Sequence, residues 1–282
     1  MNFPRTFRIA TRKSPLAIWQ AEKTASLIRE VLACNVELLP MSTTGDRQTQ
    51  WNLSEKGGKG LFTKELEESL LRGDADLAVH SAKDMPTDSP DGLTLSTFLK
   101  REDPRDVLVI KEGVTLPKVM ATGSPRRQAQ LKDRFDDCRW IQLRGNVETR
   151  LRKIAQEDQA DGTVLAAAGL NRLGFKNFPG LEFIHLEVEE MVPAPGQGAI
   201  AVQSRTDDCK EFLKIGDNKT QKDVEIERKI LVQRGGGCQV ALGVCLHQET
   251  LHFFEESRGK HSFSCAGMSS DEIVQKVGDL VA

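Results

Sequence analysis

The feature that most constrains this chain is a repeated alternation of short apolar runs with longer amphipathic stretches. Residues 7–10 (FRIA) read as a strand. Ser14 then supplies an N-cap and Pro15 a first helical residue, and Leu16, Trp19, Leu27, Ile28 and Val31 give that helix its apolar side. Residues 36–39 read as a second strand, about 63–71 as a helix ending before Gly73, and 77–79 and 93–98 as two more strands. The pattern restarts at 107–110 and 119–121, where Ser124 and Pro125 repeat the cap-and-proline signal, and again at 163–167 before a short helix through Leu173. Strands alternating with helices imply βαβ units and a mainly parallel sheet. After a helix at about 222–233 that ends at Gly235, three strand-like runs (about 240–246, 251–255 and 262–265) and a helix at 271–280 make a small α+β unit. Two polar or Pro/Gly-rich segments, 100–106 and 192–198, look like connections.

Length and charge narrow the function classes. At about 150 residues per domain, 282 residues suggest roughly two domains, or three small ones. The formal charge is 39 − 41 = −2, which counts against a generic nucleic-acid or anionic-membrane binder. No apolar run approaches the ~20 residues of a membrane span, and residues 1–15 hold no signal-peptide core, so the expected location is the cytoplasm. Cys34, Cys138, Cys209, Cys238, Cys245 and Cys265 include no C-x-x-C pair and no zinc spacing, and they read as free thiols.

Three basic groups lie beside turns or helix starts: Arg12-Lys13-Ser14, Ser124-Pro125-Arg126-Arg127, and Arg144 through Arg150. Helix N-termini bind anions through free N–H groups, and arginine adds bidentate recognition of carboxylates or phosphates. Each group alone reads as solvated surface; the three together point to a site for a polyanion. Lys59 sits in G-G-K-G, which lacks P-loop spacing. His80-Ser81-Ala82-Lys83-Asp84 follows a short strand, at the end where open α/β sheets bind ligands. A carboxylate there can act as acid or base or hold a cation. His80 alone reads as structural, and Lys83 beside Asp84 as a surface ion pair. Cys238 follows Gly235-Gly236-Gly237, a turn open enough for a bulky group on sulfur, although on spacing alone it reads as a structural cysteine at a glycine turn.

Taken together these segments resemble the porphobilinogen deaminase family, nearly end to end. The matching runs include R-I-A-T-R-K-S-P-L-A at 8–17, T-x-G-D at 43–46, G-G-K-G-L-F at 57–62, A-V-H-S-A-K-D at 78–84 and R-E-D-P-R-D at 101–106. They continue with R-R-Q-x-Q-L at 126–131, R-G-N-V-x-T-R-L at 144–151, P-G-Q-G-A at 195–199 and G-G-C-Q-V at 236–240. Pro125, Ala82, Met85 and Arg234 depart from the common pattern, and the segment after Cys238 is short.

The resemblance implies an α/β protein with two periplasmic-binding-protein-like (type II) domains plus a small C-terminal α+β domain. Its boundaries would be 1–99 with 195–215, 100–194, and 216–282. It implies stepwise condensation of four porphobilinogen molecules to hydroxymethylbilane with loss of ammonia, by a cytoplasmic monomer with no nucleic-acid or membrane partner. A dipyrromethane cofactor would be joined by a thioether to Cys238. Asp84 would be catalytic, facing pyrrole nitrogens and stabilising azafulvene and pyrrolium cations. Lys83, Ser124, Arg126, Arg127, Arg144, Asp46 and Gln197 would hold the cofactor, and Arg12, Ser14, Arg150, Arg172, Lys59 and Phe62 the substrate, all in one interdomain cleft. No metal is implied. Two other classes stay open on residues alone: a non-catalytic anion-binding protein of the same architecture, and a nucleic-acid binder, which would also lack a helix-turn-helix or RNP motif here.

Overall fold

A computed structural model describes residues 5–47, 60–157, 159–236 and 240–280. In chain order the first elements are β1 (Thr6–Arg12), α1 (Pro15–Leu32), β2 (Asn35–Met41), α2 (Thr44–Arg47), α3 (Lys64–Leu71), β3 (Leu77–Ser81) and β4 (Leu93–Phe98). Next come β5 (Asp106–Lys111), β6 (Val119–Ala121), α4 (Pro125–Leu131), β7 (Arg139–Ile141), α5 (Val147–Gln156), β8 (Gly162–Ala166), α6 (Ala167–Arg172) and β9 (Leu181–Leu186). The chain closes with β10 (Ile200–Arg205), α7 (Cys209–Phe212), α8 (Asn218–Gln233), β11 (Leu242–His247), β12 (Thr250–Glu255), β13 (Gly259–Ser264) and α9 (Ser270–Leu280). They divide into two compact units, 1–101 with 199–222, and 102–198 with 223–282.

The first unit holds a five-stranded sheet of order β2-β1-β3-β10-β4. β1 runs parallel to β2 and β3, and β10 runs antiparallel to β3 and β4. Alternation along β1 explains its two covered faces. Phe7 and Ile9 pack with Ala21, Ala25 and Ile28 of α1, while Ala10 packs with Leu66 and Leu70 of α3. Each fully buried Ile or Leu contributes about 1.5–3 kcal/mol by leaving water.

The second unit repeats that order. Its sheet runs β7-β6-β8-β5-β9, with β6 parallel to β7 and β8, and β5 antiparallel to β8 and β9. In both sheets the first parallel strand lies between the second and third, and the fourth position is a strand running the other way, β10 in the first and β5 in the second. This is the type II periplasmic-binding-protein topology. The same unit carries a three-stranded antiparallel meander, β11-β12-β13, whose apolar face packs on Ile226 and Ile230 of α8 and Ile273 and Val277 of α9.

The sheets are thus mixed rather than mainly parallel, because β5 and β10 enter from the connecting segments. Strands β7, β9 and β10 were not legible in the local pattern. The connection itself is tightly specified at Gly198, which adopts φ +87°, and a Cβ there would stand 2.5 Å from the Glu102 carbonyl oxygen.

Candidate functional site

In the first unit the site is built at the carboxyl ends of β1 and β3. β3 ends at Ser81 and passes into a single 3-10 turn, Ala82–Asp84, whose backbone is fixed by Ala82 N–H donating to Ala199 O at 3.0 Å. β1 ends at Arg12, and Ser14 caps α1 by accepting from Ala17 N–H at 3.4 Å, with Pro15 at the first helical position. Gln20 of α1 donates to Ser81 Oγ at 3.0 Å, tying the helix to the end of β3. Between these elements lies a cavity of about 80 Å³ lined by Arg12, Ser14, Gln20, Phe62, His80, Ser81 and Asp84 among others.

The charges here are set up for different jobs. The Arg12 guanidinium pairs with the Asp46 carboxylate and lies 4.3 Å from the Phe62 ring centroid, a cation–π contact. Burial alone would raise the Asp46 pKa, but hydrogen bonds from Arg12 and Thr43 outweigh it and hold the carboxyl below its ordinary value. Asp84 is exposed and has no hydrogen-bond or ion-pair partner among the described residues. An unpaired carboxylate on a cavity that also holds an arginine and a helix start can receive a ligand bearing both signs of charge.

On the cavity wall, His80 is buried at 6% exposure and its Nε2 meets Gln203 Oε1 at 3.2 Å. Gln203 Nε2 donates in turn to Glu67 Oε1 at 3.3 Å. Burial pushes the His80 pKa down to about 4, against the opposing Gln203 hydrogen bond and with help from the Arg12 charge, so the ring is neutral at pH 7.

In the second unit the corresponding junction follows β6. Ser124 accepts from Arg127 N–H at 3.4 Å and Pro125 opens α4, as at Ser14 and Pro15. The arginines that follow are not displayed on the surface. Asp106, at the start of β5 and wholly buried, takes Arg126 on one carboxylate oxygen and Arg127 on the other, each at 2.8 Å. Arg126 also donates to Val192 O and Arg127 to Val164 O, both at 2.7 Å, and Gln197 Nε2 reaches Asp106 Oδ1 at 3.0 Å. Burial lowers the Arg126 pKa from its usual height, against the pull of Asp106. A buried carboxylate needs compensation, so the surface-facing role that spacing suggests for both arginines gives way to an internal one for most of their N–H groups. Arg127 Nε is the exception, a buried donor without a partner among the described residues.

The remaining basic residues differ among themselves. The Arg144 guanidinium has no hydrogen-bond or ion-pair partner among the described residues. Arg150 folds back to donate to Gly145 O at 2.8 Å, beside the Asn146 cap of α5. Arg172 is buried, donates to Gly198 O at 2.6 Å, and has its pKa lowered by burial to about 10. Lys83 lies half-buried in the turn before Asp84. Lys59 and Cys238 lie outside the described residues.

Sequence reasoning missed Asp106, Glu67 and Gln203 as functional candidates. Asp106 ends a polar run and could have been flagged as an acid entering an apolar strand. Nothing local marks Gln203. Among the described residues, no helix is long and apolar enough to cross a membrane.

Residues 7–212 match the family model described as porphobilinogen deaminase, dipyromethane cofactor binding domain. A porphobilinogen deaminase of Trichlorobacter lovleyi is 45% identical over 250 residues, covering 85% of this chain and 78% of that one. Those of Syntrophomonas wolfei and Burkholderia ambifaria are each 43% identical over 248 residues, covering 84% and 85% of this chain and 79% and 74% of theirs. With a model spanning most of its length and relatives this similar across both units, the chain belongs to the porphobilinogen deaminase family.

Proposed function

We propose that Asp84 is the catalytic carboxylate with which this chain joins four porphobilinogen molecules head to tail into hydroxymethylbilane, releasing ammonia at each step. The observation that carries the assignment is a carboxylate without a partner among the described residues, fixed on the turn after β3 and lining the same cavity as Arg12 and the start of α1. Loss of ammonia from the substrate leaves a cation delocalised onto the pyrrole nitrogen. A carboxylate within reach of that N–H stabilises the cation, more strongly in a confined site than in water. Condensation also releases a proton, which a carboxylate at this position is able to take.

Each pyrrole unit bears an acetate and a propionate, so the growing chain is a polyanion. Arg12, Ser14 and Phe62 in the first unit, with Arg150 and Arg172 in the second, serve those carboxylates, and Lys59 joins them in this reading. Arg12 is suited to this because its pair with Asp46 is partly exposed and its guanidinium is oriented by Phe62.

The family's cofactor is dipyrromethane, and this reading attaches it by a thioether to Cys238 in the third domain, 216–282. The donor set fits such a group. Arg127 Nε is a buried donor without an acceptor among the described residues, and the Arg144 guanidinium is likewise unpaired among them. Arg126, Arg127, Arg144, Lys83, Ser124, Asp46 and Gln197 are the residues that would hold it. When bound, it supplies the carbon nucleophile that accepts the first unit. The reading takes the chain as a cytoplasmic monomer with a small-molecule substrate and no nucleic-acid or membrane partner.

The test is a pair of variants with one control. Asp84→Asn keeps shape but loses charge and basicity, and its turnover should fall by about 10²-fold or more. Asp46→Asn should fall less, since that carboxylate is already engaged with Arg12. Intact mass should show the added pyrrole mass in both, and its absence in Cys238→Ser. Near-normal turnover in Asp84→Asn, or a collapse confined to Asp46→Asn, ends the assignment.

A further inference from the structure

We propose that His80 is an uncharged hydrogen-bond acceptor for an N–H group of the substrate, and that Glu67 and Gln203 hold it in the tautomer this role requires. The proposal rests on the reading that the cavity at the end of β3 takes porphobilinogen, a molecule with a pyrrole N–H and an ammonium group. It adds a second acceptor to that cavity, chemically unlike Asp84.

The argument starts at Glu67, a buried residue of α3. A carboxylate only accepts, so the Gln203 atom 3.3 Å from Glu67 Oε1 must be the amide nitrogen. The opposite amide orientation would set two acceptor oxygens against each other. Gln203 therefore turns its oxygen toward His80, and that oxygen, 3.2 Å from Nε2, also only accepts. The proton on the ring must then sit on Nε2. Nδ1 is left as a bare lone pair. It has no partner among the described residues, and it is not among the sealed-off unpaired atoms. His80 is among the residues that line the cavity, with Arg12, Ser81 and Asp84.

The charge state follows from the same geometry. The ring is deep in the unit and close to the Arg12 charge, both of which oppose a second proton. Three buried groups from three elements, α3, β10 and β3, thus convert one carboxylate into a directional, neutral acceptor on the cavity wall. Glu67 and Gln203 are positioning residues, and His80 is the one that meets substrate. A neutral acceptor favours N–H donors without attracting the cation so strongly that it stays bound as a salt.

The experiment uses the holoenzyme labelled with ¹⁵N-histidine, in which His80 is one of five histidines. At pH 7 the His80 signals should be those of the neutral Nε2–H tautomer, and the Nδ1 resonance should move when porphobilinogen is added. An imidazolium, an Nδ1–H tautomer, or an Nδ1 resonance indifferent to porphobilinogen overturns the proposal. Glu67→Gln gives a sharper reading. Its new amide can accept or donate, so Gln203 is free to turn over and the Nδ1–H tautomer should appear. The same variant should lose roughly 10-fold in kcat/KM with little change in unfolding midpoint, and His80→Leu roughly 10- to 100-fold, the scale of one hydrogen bond to a charged donor. A tautomer change without a kinetic one would reduce His80 to a packing residue. If either variant fails to fold, the wild-type titration still decides. Failure is separable from that of the parent reading: retained turnover in Asp84→Asn sinks the latter alone, and an unresponsive Nδ1 with Asp84→Asn inactive sinks only this proposal.

Discussion

The two five-stranded units share a strand order and a Ser-Pro helix start, yet they carry opposite kinds of polar centre. Where the third parallel strand meets the antiparallel one, the first unit has a neutral relay, His80 on β3 and Gln203 on β10, backed by Glu67. At the same place the second unit has a fully ionic knot, Asp106 on β5 holding Arg126 and Arg127. The difference teaches that the topology fixes where a buried polar group is tolerated, and side chains decide its chemistry. A neutral centre leaves the first unit's cations, such as Arg12, at a partly exposed rim. An ionic centre draws the second unit's arginines inward and presets them.

The comparison breaks most decisively at Asp106. Asp106→Asn would leave two buried arginines without their counterion, and such losses cost about 3–5 kcal/mol. Denaturant unfolding should register that loss, whereas Glu67→Gln, which keeps its hydrogen bonds, should shift stability by under about 1 kcal/mol. Equal costs at both positions would mean the two centres do not differ in kind.

Next in size is the response to acid. The folded-state pKa of His80 is depressed from 6.5 to about 4. The unfolded chain therefore takes up the proton first as pH falls. The stability gained by keeping this ring neutral is complete above pH 6.5 and is lost progressively between pH 6.5 and about 4. Unfolding free energies measured across that window should fall more steeply for the wild type than for His80→Leu; parallel slopes would refute the buried neutral ring.

The smallest expected effects are at the matching caps. Ser14 and Ser124 each accept from a backbone N–H at 3.4 Å, long for such a bond. Ser14→Ala and Ser124→Ala should each cost about 0.5–1 kcal/mol, at the low end for N-caps. A cost well above that at one cap alone would show that the two junctions are equivalent only in sequence.

Those caps were the most readable part of the chain, because an N-cap and a following proline act over three or four residues. Strands 93–98 and 119–121 were legible for the same reason, with apolar runs bounded by polar turns. The carboxylate at the end of β3 was visible as an acid after a buried strand. What stayed hidden depends on contacts between distant segments. β10 looks like any apolar run after a Pro/Gly-rich connection until it is paired with β3 and β4. Gln203 looks like a surface glutamine until it stands between His80 and Glu67, and Arg126 and Arg127 look like surface cations until Asp106 is folded beneath them.

The placement of β10 has a consequence for synthesis on the ribosome. β3 and β4 lie on either side of β10, and the register pairs Ala201 with both His80 and Phe98. Until residues near 205 have emerged, β3 has an open edge and β4 has no partner at all. For the time it takes to add about a hundred residues, at about 5–20 residues per second, those backbone N–H and C=O groups are available to other chains. The first unit is encoded first but completed late, so the interval between its parts is when this protein is most exposed to aggregation and most dependent on chaperones.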